Sequence, residues 1–337
     1  MSDKKIYEPQ SALINRPVSR RTFLGTSFLG VVGLLTGCGA TETATTTGGA
    51  TAAKPKVGLV MKSLANEFFK QMQAGAEEYA KQNAAKFDFM AVGMKDERDF
   101  AAQVDAVENF ITQKYNIIVI APADSKAMVT PLAKAVKAGI VVINIDVALD
   151  EEAKKAAGLD LAFFGPDNRE GAKLVGEALA KNLGVGGKVV ILEGNPEADN
   201  GQQRKLGFED AIAAGQLQLL GSNTAHWETE EANTLMTNFM TQYPDLQAAM
   251  CANDSMALGA VKAIEAAGKT GVIKVVGFDN VPAVQPLIKE GKMLATIEQF
   301  GAQMAANGID YGLRSLNGEK FTGWVKTDIK LITKDNV

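Results

Sequence analysis

The sequence predicts an α/β protein made of two similar, doubly wound parallel-sheet lobes joined by crossing segments. Three observations carry that expectation. From Lys56 onward, short β-branched runs alternate with amphipathic stretches at helical spacing, the pattern of parallel sheets covered on both faces. The runs number more than ten, which exceeds one comfortable core. The chain also echoes itself. Ile120-Ala121-Pro122-Ala123-Asp124-Ser125 leads through a helical stretch to Val141-Val142-Ile143-Asn144-Ile145-Asp146, and Met250-Cys251-Ala252-Asn253-Asp254-Ser255 leads likewise to Lys274-Val275-Val276-Gly277-Phe278-Asp279.

In chain order, strands are expected over 57–61, 87–92, 117–121, 140–145, 161–164, 188–193, 217–220, 247–251, 273–278, 293–298 and 325–332. Most are short and apolar, and several, such as 117–121, 140–145 and 188–193, are rich in Val and Ile. The first helix opens at Asn66 and runs to about Asn83, with Phe69, Met72, Ala76 and Tyr79 on one face. Further helices are expected over 98–114, 125–138, 168–183, 201–214, 229–242, 255–267 and 302–316. Asp124 and Asp254 precede serines at expected helix starts, where a carboxylate accepts from free amides and suits the dipole.

The first 37 residues differ in kind. Ser19-Arg20-Arg21-Thr22-Phe23-Leu24 precedes an uncharged, mostly apolar run to Leu35, then Thr36-Gly37-Cys38. A cationic region, a short apolar region and small residues before a cleavage point make an export signal over 1–37, too short for a comfortable membrane span. The paired arginines resemble a twin-arginine signal. Leu35-Thr36-Gly37-Cys38 resembles a bacterial lipobox, which implies that Cys38 becomes the lipidated first residue. Residues 38–54, rich in Thr, Ala and Gly, read as a flexible tether.

Composition excludes several functions. The chain has 337 residues and a formal charge of −4, and its first 37 residues hold five basic against two acidic side chains, so the remaining 300 carry −7. An acidic body without a basic stripe argues against nucleic acid. Two cysteines, Cys38 and Cys251, offer no disulfide framework, and a single histidine, His226, offers no His-cluster metal site. Gly184-Val185-Gly186-Gly187 follows a helix and precedes a strand, the reverse of a phosphate-binding loop.

Candidate binding groups fall where strands end, since ligands of open α/β sheets sit beyond the carboxyl ends of the strands. Lys62, Asn66, Phe68 and Phe69 follow the first strand and combine polar tips with apolar faces; the phenylalanines equally suit a core, and Lys62 equally suits solvent. Asp146 and Asp279 end the echoed strands, where a carboxylate can accept from paired hydroxyls or simply form a turn. Arg204 lies on the helix after strand 188–193, Trp227 opens the helix after strand 217–220, and Gln299 follows strand 293–298. Each has a plain structural role open to it: exposed charge, core packing and loop amide.

Taken together these segments resemble the periplasmic sugar-binding proteins of the ribose/allose group, the substrate-binding components of ABC importers. The resemblance runs from about Lys56 to the end of the chain. It rests on Lys62-Ser63-Leu64-Ala65-Asn66-Glu67-Phe68-Phe69, Asn253-Asp254-Ser255-Met256-Ala257-Leu258-Gly259, Val276-Gly277-Phe278-Asp279 and Ala295-Thr296-Ile297-Glu298-Gln299. It implies lobes of 55–166 plus 300–328 and 167–299 plus 329–337, with crossings near Phe164–Asp167, Gln299 and Asp328. By resemblance Lys62, Asn66, Phe68, Phe69, Asp146, Arg204, Trp227, Asn253, Asp279 and Gln299 line a cleft between the lobes. The implied ligand is a monosaccharide or polyol, with no cofactor, no metal and no catalysis. The implied partners are an ABC permease and, through Cys38, a lipid bilayer, the receptor being an exported monomer.

Departures bear on the ligand. Lys62 stands where ribose binders have serine, as in the allose branch; Ala121 replaces a ligand asparagine and Val147 an arginine. Two lost donors argue against D-ribose itself, and a hexose such as allose, another pentose or a polyol fits at least as well. A receptor feeding a chemotaxis or sensor protein has the same body. A repressor of this architecture needs an N-terminal helix-turn-helix where this chain has its export signal. A sugar-active enzyme would use Asp146 and Asp279 as a carboxylate pair.

Overall fold

The computed structural model describes residues 53–337, so the export signal, Cys38 and nearly all of the tether lie outside the described residues. The body opens with β1 (Lys56–Ser63), α1 (Glu67–Gln82), β2 (Asp88–Met94), α2 (Phe100–Thr112), β3 (Ile117–Ile120), α3 (Val129–Lys137), β4 (Val141–Ile145), α4 (Glu151–Ala156) and β5 (Phe163–Pro166). The pattern then repeats: α5 (Asn168–Leu183), β6 (Lys188–Glu193), α6 (Asp199–Gly215), β7 (Gln218–Thr224), α7 (Thr229–Gln242), β8 (Ala248–Cys251), α8 (Asp254–Ala266), β9 (Lys274–Val276), a 3-10 turn at Pro282–Val284, α9 (Gln285–Lys289) and β10 (Ala295–Glu298). The chain closes with α10 (Gly301–Leu316), β11 (Trp324–Thr327) and β12 (Lys330–Thr333).

Two six-stranded sheets result, in the orders β11-β5-β4-β3-β1-β2 and β12-β10-β9-β8-β6-β7. The echo in the sequence is therefore an echo in topology. All pairings are parallel except that of β12 with β10. β1 sits between β2 and β3, with Val57 level with Phe89 on one side and Ile117 on the other. It is buried from Val57 to Ser63, because helices cover both faces of a parallel sheet; this is why it reads as a continuous apolar run rather than an alternating one. Burying each large side chain of such a strand stabilises the fold by roughly 1.5–3 kcal/mol.

The chain passes between the sheets three times: at Asp167 after β5, at Gln299–Phe300 after β10, and at Asp328–Ile329 between β11 and β12. The expected strand over 325–332 is thus two strands in different sheets, divided at a crossing. α10 returns to the first sheet, where Gly312 lies against Ile117 and Gly308 against Val119 and Ile145.

Two capping expectations need correction. Asn253, not Asp254, caps α8: its extended backbone (φ −148°, ψ 169°) lets its side chain accept from the Met256 amide at 2.8 Å. Asp254 is the first helical residue, fully buried, and it accepts from Thr296 Oγ1 at 2.8 Å and the Val281 amide at 3.0 Å, fastening the loop after β9 to β10. Asp124 does accept from the amides of Lys126 and Ala127, both at 2.7 Å, but the α-helix begins only at Val129, after a turn. α4 and α9, short and unpredicted, fill loops too brief to show periodicity.

Asp167 holds the first crossing together. It caps α5 by accepting from the Glu170 amide at 3.1 Å, and it accepts from Lys326 Nζ of β11 at 2.8 Å. Burial opposes its ionisation, but the bonds from Lys326 and Glu170 outweigh this and hold the carboxyl below its usual value. The carboxylate therefore stabilises the fold above the ordinary carboxyl pKa, and that contribution is lost as the pH falls through the depressed folded value. Asp167→Ala is expected to cost about 1 kcal/mol at pH 7, with denaturant titrations of variant and wild type converging below the usual carboxyl range. A pH-independent difference would show that the charge plays no part.

Candidate functional site

The carboxyl edges of the two sheets face each other across a cleft, and the first lobe supplies five lining side chains: Lys62, Asn66, Phe68 and Phe69 after β1, and Asp146 after β4. β1 ends at Ser63, whose hydroxyl accepts from the Ala65 amide and donates to the Lys95 carbonyl, turning the chain sharply into α1. Asn66 caps that helix, its Oδ1 accepting from the Phe68 amide at 3.0 Å, which sets Phe68 and Phe69 on the first turn. Their rings meet edge to face, 5.1 Å apart. Lys62, only 3% exposed, places its ammonium 5.3 Å from the Phe69 ring centre and 5.2 Å from that of Trp227. Its ion-pair partner is Glu97, whose Oε2 lies 3.2 Å away, without the alignment of a hydrogen bond.

Asp146 and Asp279 are buried and hold left-handed backbone, with φ of 65° and 122°. Positive φ at a non-glycine residue is costly and concentrates at functional sites. Asp146 Oδ1 has no protein partner. Burial pushes its carboxyl up, against the charges of Lys62 and Arg204. Asp279 Oδ1 accepts from Gln299 Nε2 at 2.7 Å and from Arg204 Nη1 at 3.5 Å.

Arg204 is the centre of the second lobe's contribution. Its Nε donates to Asn168 Oδ1 at 2.9 Å, its Nη1 to the Ala252 carbonyl at 2.9 Å, and its Nη2 to Gln299 Oε1 at 3.5 Å. The guanidinium lies 3.7 Å over the Phe278 ring, a stacking that lysine could not make. Trp227, at φ 72°, sits in the loop between β7 and α7 rather than opening the helix. Gly194 makes room for it, since a Cβ there would lie 2.1 Å from the indole ring. Asn253 lines the same space while capping α8.

All ten side chains named from the sequence line one cavity, together with Asn200. Asn200 was missed, although it lies one helical turn before Arg204 and shares its face. Glu97 was missed too, because Lys95-Asp96-Glu97-Arg98 reads as a solvated loop. Ala121 and Val147, the two substituted positions, are buried outside the lining. Three lining residues keep a buried polar atom without a protein partner: Asp146 Oδ1, Asn200 Oδ1 and Trp227 Nε1. Buried polar atoms are normally paired, so the site is built for a ligand that supplies both donors and acceptors.

Across the mouth the lobes touch. The Ser125 amide donates to the Glu197 carbonyl at 3.0 Å, the Asp199 amide to Ser125 Oγ at 2.9 Å, the Glu97 amide to Glu228 Oε1 at 3.3 Å, and the Ala283 amide to Glu67 Oε2 at 3.2 Å. Arg98 pairs with Glu231 at 2.9 Å.

Two hinged parallel-sheet lobes meeting over a small, mixed polar and aromatic cavity define a two-lobed binding protein. The chain belongs to the periplasmic binding protein family: the family described as "Periplasmic binding protein domain" matches residues 57–320. It is 46% identical over 284 residues to a D-ribose/D-allose-binding protein of Pseudomonas aeruginosa, covering 83% of this chain and 89% of that one. Among solved structures, an ABC transporter solute-binding protein from Burkholderia multivorans matches at 47% identity and a TM-score of 0.81, covering 84% of this chain and all of that one. Another from Actinobacillus succinogenes, holding D-allose, matches at 39% identity and a TM-score of 0.79, covering 84% and 98%.

Asp279 yields a pH test. Burial pushes its carboxyl up from 3.8 to about 7, against the pull of Arg204 and with Asp146 adding to the rise. A raised carboxyl favours folding while protonated, so its contribution is present below about 4 and lost as the pH rises through about 7. The melting temperature of unliganded wild type should therefore fall relative to Asp279→Asn between pH 4.5 and 8. Parallel curves would contradict this electrostatic account.

Proposed function

We infer that the protein is the substrate-binding component of a sugar ABC importer, capturing a monosaccharide or polyol between its lobes and presenting it to a membrane permease. The observation that carries this is the pairing, in one buried cavity, of three aromatic side chains with three polar atoms that lack protein partners. Aromatic faces pack against the C–H surfaces of a sugar ring, and the free acceptors and donor satisfy its hydroxyls. The ligand-binding set is Lys62, Asn66, Phe68, Phe69, Asp146, Arg204, Trp227, Asn253, Asp279 and Gln299, joined by Asn200. The relatives that bind D-ribose or D-allose support a hexose or pentose, and the lysine at position 62 supports the allose side.

The lobes are 55–166 plus 300–328 and 167–299 plus 329–337, a division supported by sheet membership. Binding, not catalysis, is the output, and the receptor works as a monomer without cofactor or metal. Export through the twin-arginine-like signal and lipidation at Cys38 would hold it at a membrane surface by its tether. Among the described residues no helix is long and apolar enough to cross a membrane.

A ligand that binds only the folded form at a hundred times its Kd adds about 2.7 kcal/mol to stability. Full-length protein is therefore expected to melt roughly 5 °C or more higher with saturating sugar. The panel is D-allose, D-ribose, D-xylose, xylitol and myo-inositol; a flat response to all five would defeat the reading. Separately, Cys38→Ser should move the protein from the membrane fraction to the soluble fraction of expressing cells. Unchanged membrane retention would refute the anchor.

A further inference from the structure

We propose that Glu97, which does not itself line the cavity, is the positioning residue that sets its selectivity. It aims Lys62 and Asn66 at the ligand and ties that pair to closure of the lobes. The proposal deepens the sugar-binding reading and rests on it.

Glu97 is 1% exposed, and three contacts converge on it. Its Oε2 lies 3.2 Å from Lys62 Nζ, its Oε1 accepts from Asn66 Nδ2 at 2.9 Å, and its amide donates to Glu228 Oε1 of the opposite lobe at 3.3 Å. Asn66 Oδ1 already caps α1. With one Nδ2 hydrogen on Glu97, the amide plane is fixed and a single N–H remains for a ligand. Lys62 is a point charge on a flexible four-carbon stem, so nothing in its own chemistry fixes its direction. Its ammonium also lies over the aromatic rings of Phe69 and Trp227.

The consequence lies at Asp146, which lines the same cavity with an unpartnered Oδ1. Without Glu97 the Lys62 ammonium has Asp146 as its nearest unengaged carboxyl in the cavity lining, since Asp279 already accepts from Gln299 and Arg204. A Lys62–Asp146 pair would occupy both the donor and the acceptor that a sugar hydroxyl needs. Glu97 keeps the two apart, and so keeps both functional. The contact with Glu228, and the neighbouring Arg98–Glu231 pair at 2.9 Å, complete this arrangement only when the lobes meet.

Calorimetric titration of the full chain with D-allose, D-ribose and xylitol tests the proposal on wild type, Glu97→Gln, Lys62→Met and the double variant. Glu97→Gln should weaken the best of the three ligands by roughly tenfold to a hundredfold, and should narrow the ratio of affinities between ligands. The double variant should bind no more weakly than Lys62→Met alone, because Glu97 acts through Lys62. A merely structural role would weaken all ligands equally and add its cost to that of Lys62→Met. If Glu97→Gln leaves an unpaired buried ammonium and does not fold, the double variant removes both charges and folds, and its comparison with Lys62→Met decides. Wild type that binds none of the three brings down the sugar reading and this proposal together. Wild type that binds, with unchanged ligand ratios in Glu97→Gln or an additive cycle, brings down Glu97 alone.

Discussion

Arg204 is the interaction on which the second lobe and the hinge both depend. A buried guanidinium is tolerable only when it is hydrogen-bonded and opposed by charge, since an unpaired charge away from water costs several kcal/mol. Its partners come from four places: Asn168 at the start of α5, the carbonyl of Ala252 beyond β8, Asp279 beyond β9 and Gln299 beyond β10. Two of these, Asn168 and Gln299, flank crossings between the lobes. Satisfying Arg204 therefore fixes the second half of the cavity and two of its hinge strands at once. Burial pulls the guanidinium's pKa down, and Asp279, Asp146 and Asp254 hold it up. Two of these carboxyls, Asp146 and Asp279, also line the cavity.

The first lobe solves the matching problem with a smaller set. Lys62 and Glu97 neutralise each other, while Asn66 and Asp146 retain capacity to bond outward. Joining the halves leaves a cavity whose cations, Lys62 and Arg204, are opposed by Asp146, Asp279 and Glu97, with the Asp279 carboxyl pushed up to about 7. A space in which charge nearly cancels has little attraction for an ion. It suits a neutral molecule with many hydroxyls, each of which can donate to a carboxylate and accept from a guanidinium or ammonium. A ligand making bonds to both halves has differential affinity for the closed state, which is the whole physical requirement for hinge closure on binding.

The two-lobed fold was legible because parallel strands buried on both faces leave an unambiguous apolar run, and because the echo placed Asp146 and Asp279 at equivalent edges. Most of the ten lining residues stand at a strand end or on the first turns of the following helix, but position left each open to a plain structural role, and it was the resemblance to the ribose/allose group that singled out the set. What escaped was anything defined by the meeting of distant segments. Glu97 belongs to a loop whose composition is that of a solvated surface, and it becomes buried only where that loop meets Lys62, Asn66 and the opposite lobe. Asp254 resembled a cap by position, but β10 offers it Thr296, a partner invisible in local sequence. The stretch 325–332 showed β-propensity throughout, and propensity says nothing about a strand changing sheets midway.

Backbone strain is distributed in a way that bears on mechanism. Of the eight non-glycine residues with positive φ among those described, six lie at the cavity edge or a crossing: Asp146, His226, Trp227, Asp279, Asn280 and Phe300. Each such residue costs on the order of 1–3 kcal/mol and persists only where its surroundings over-determine it. At Trp227 the determinant is visible, because Gly194 lacks the Cβ that would strike the indole. At Phe300 the left-handed residue starts α10 at the point where the chain leaves the second sheet for the first. Strain stored in this way orders the recognition groups before a ligand arrives, so that binding need not bear the entropy of arranging them. Between the lobes, where the Glu97 amide meets Glu228, contacts form only across the cleft, so the energy of ligand contacts to both halves favours the joined arrangement.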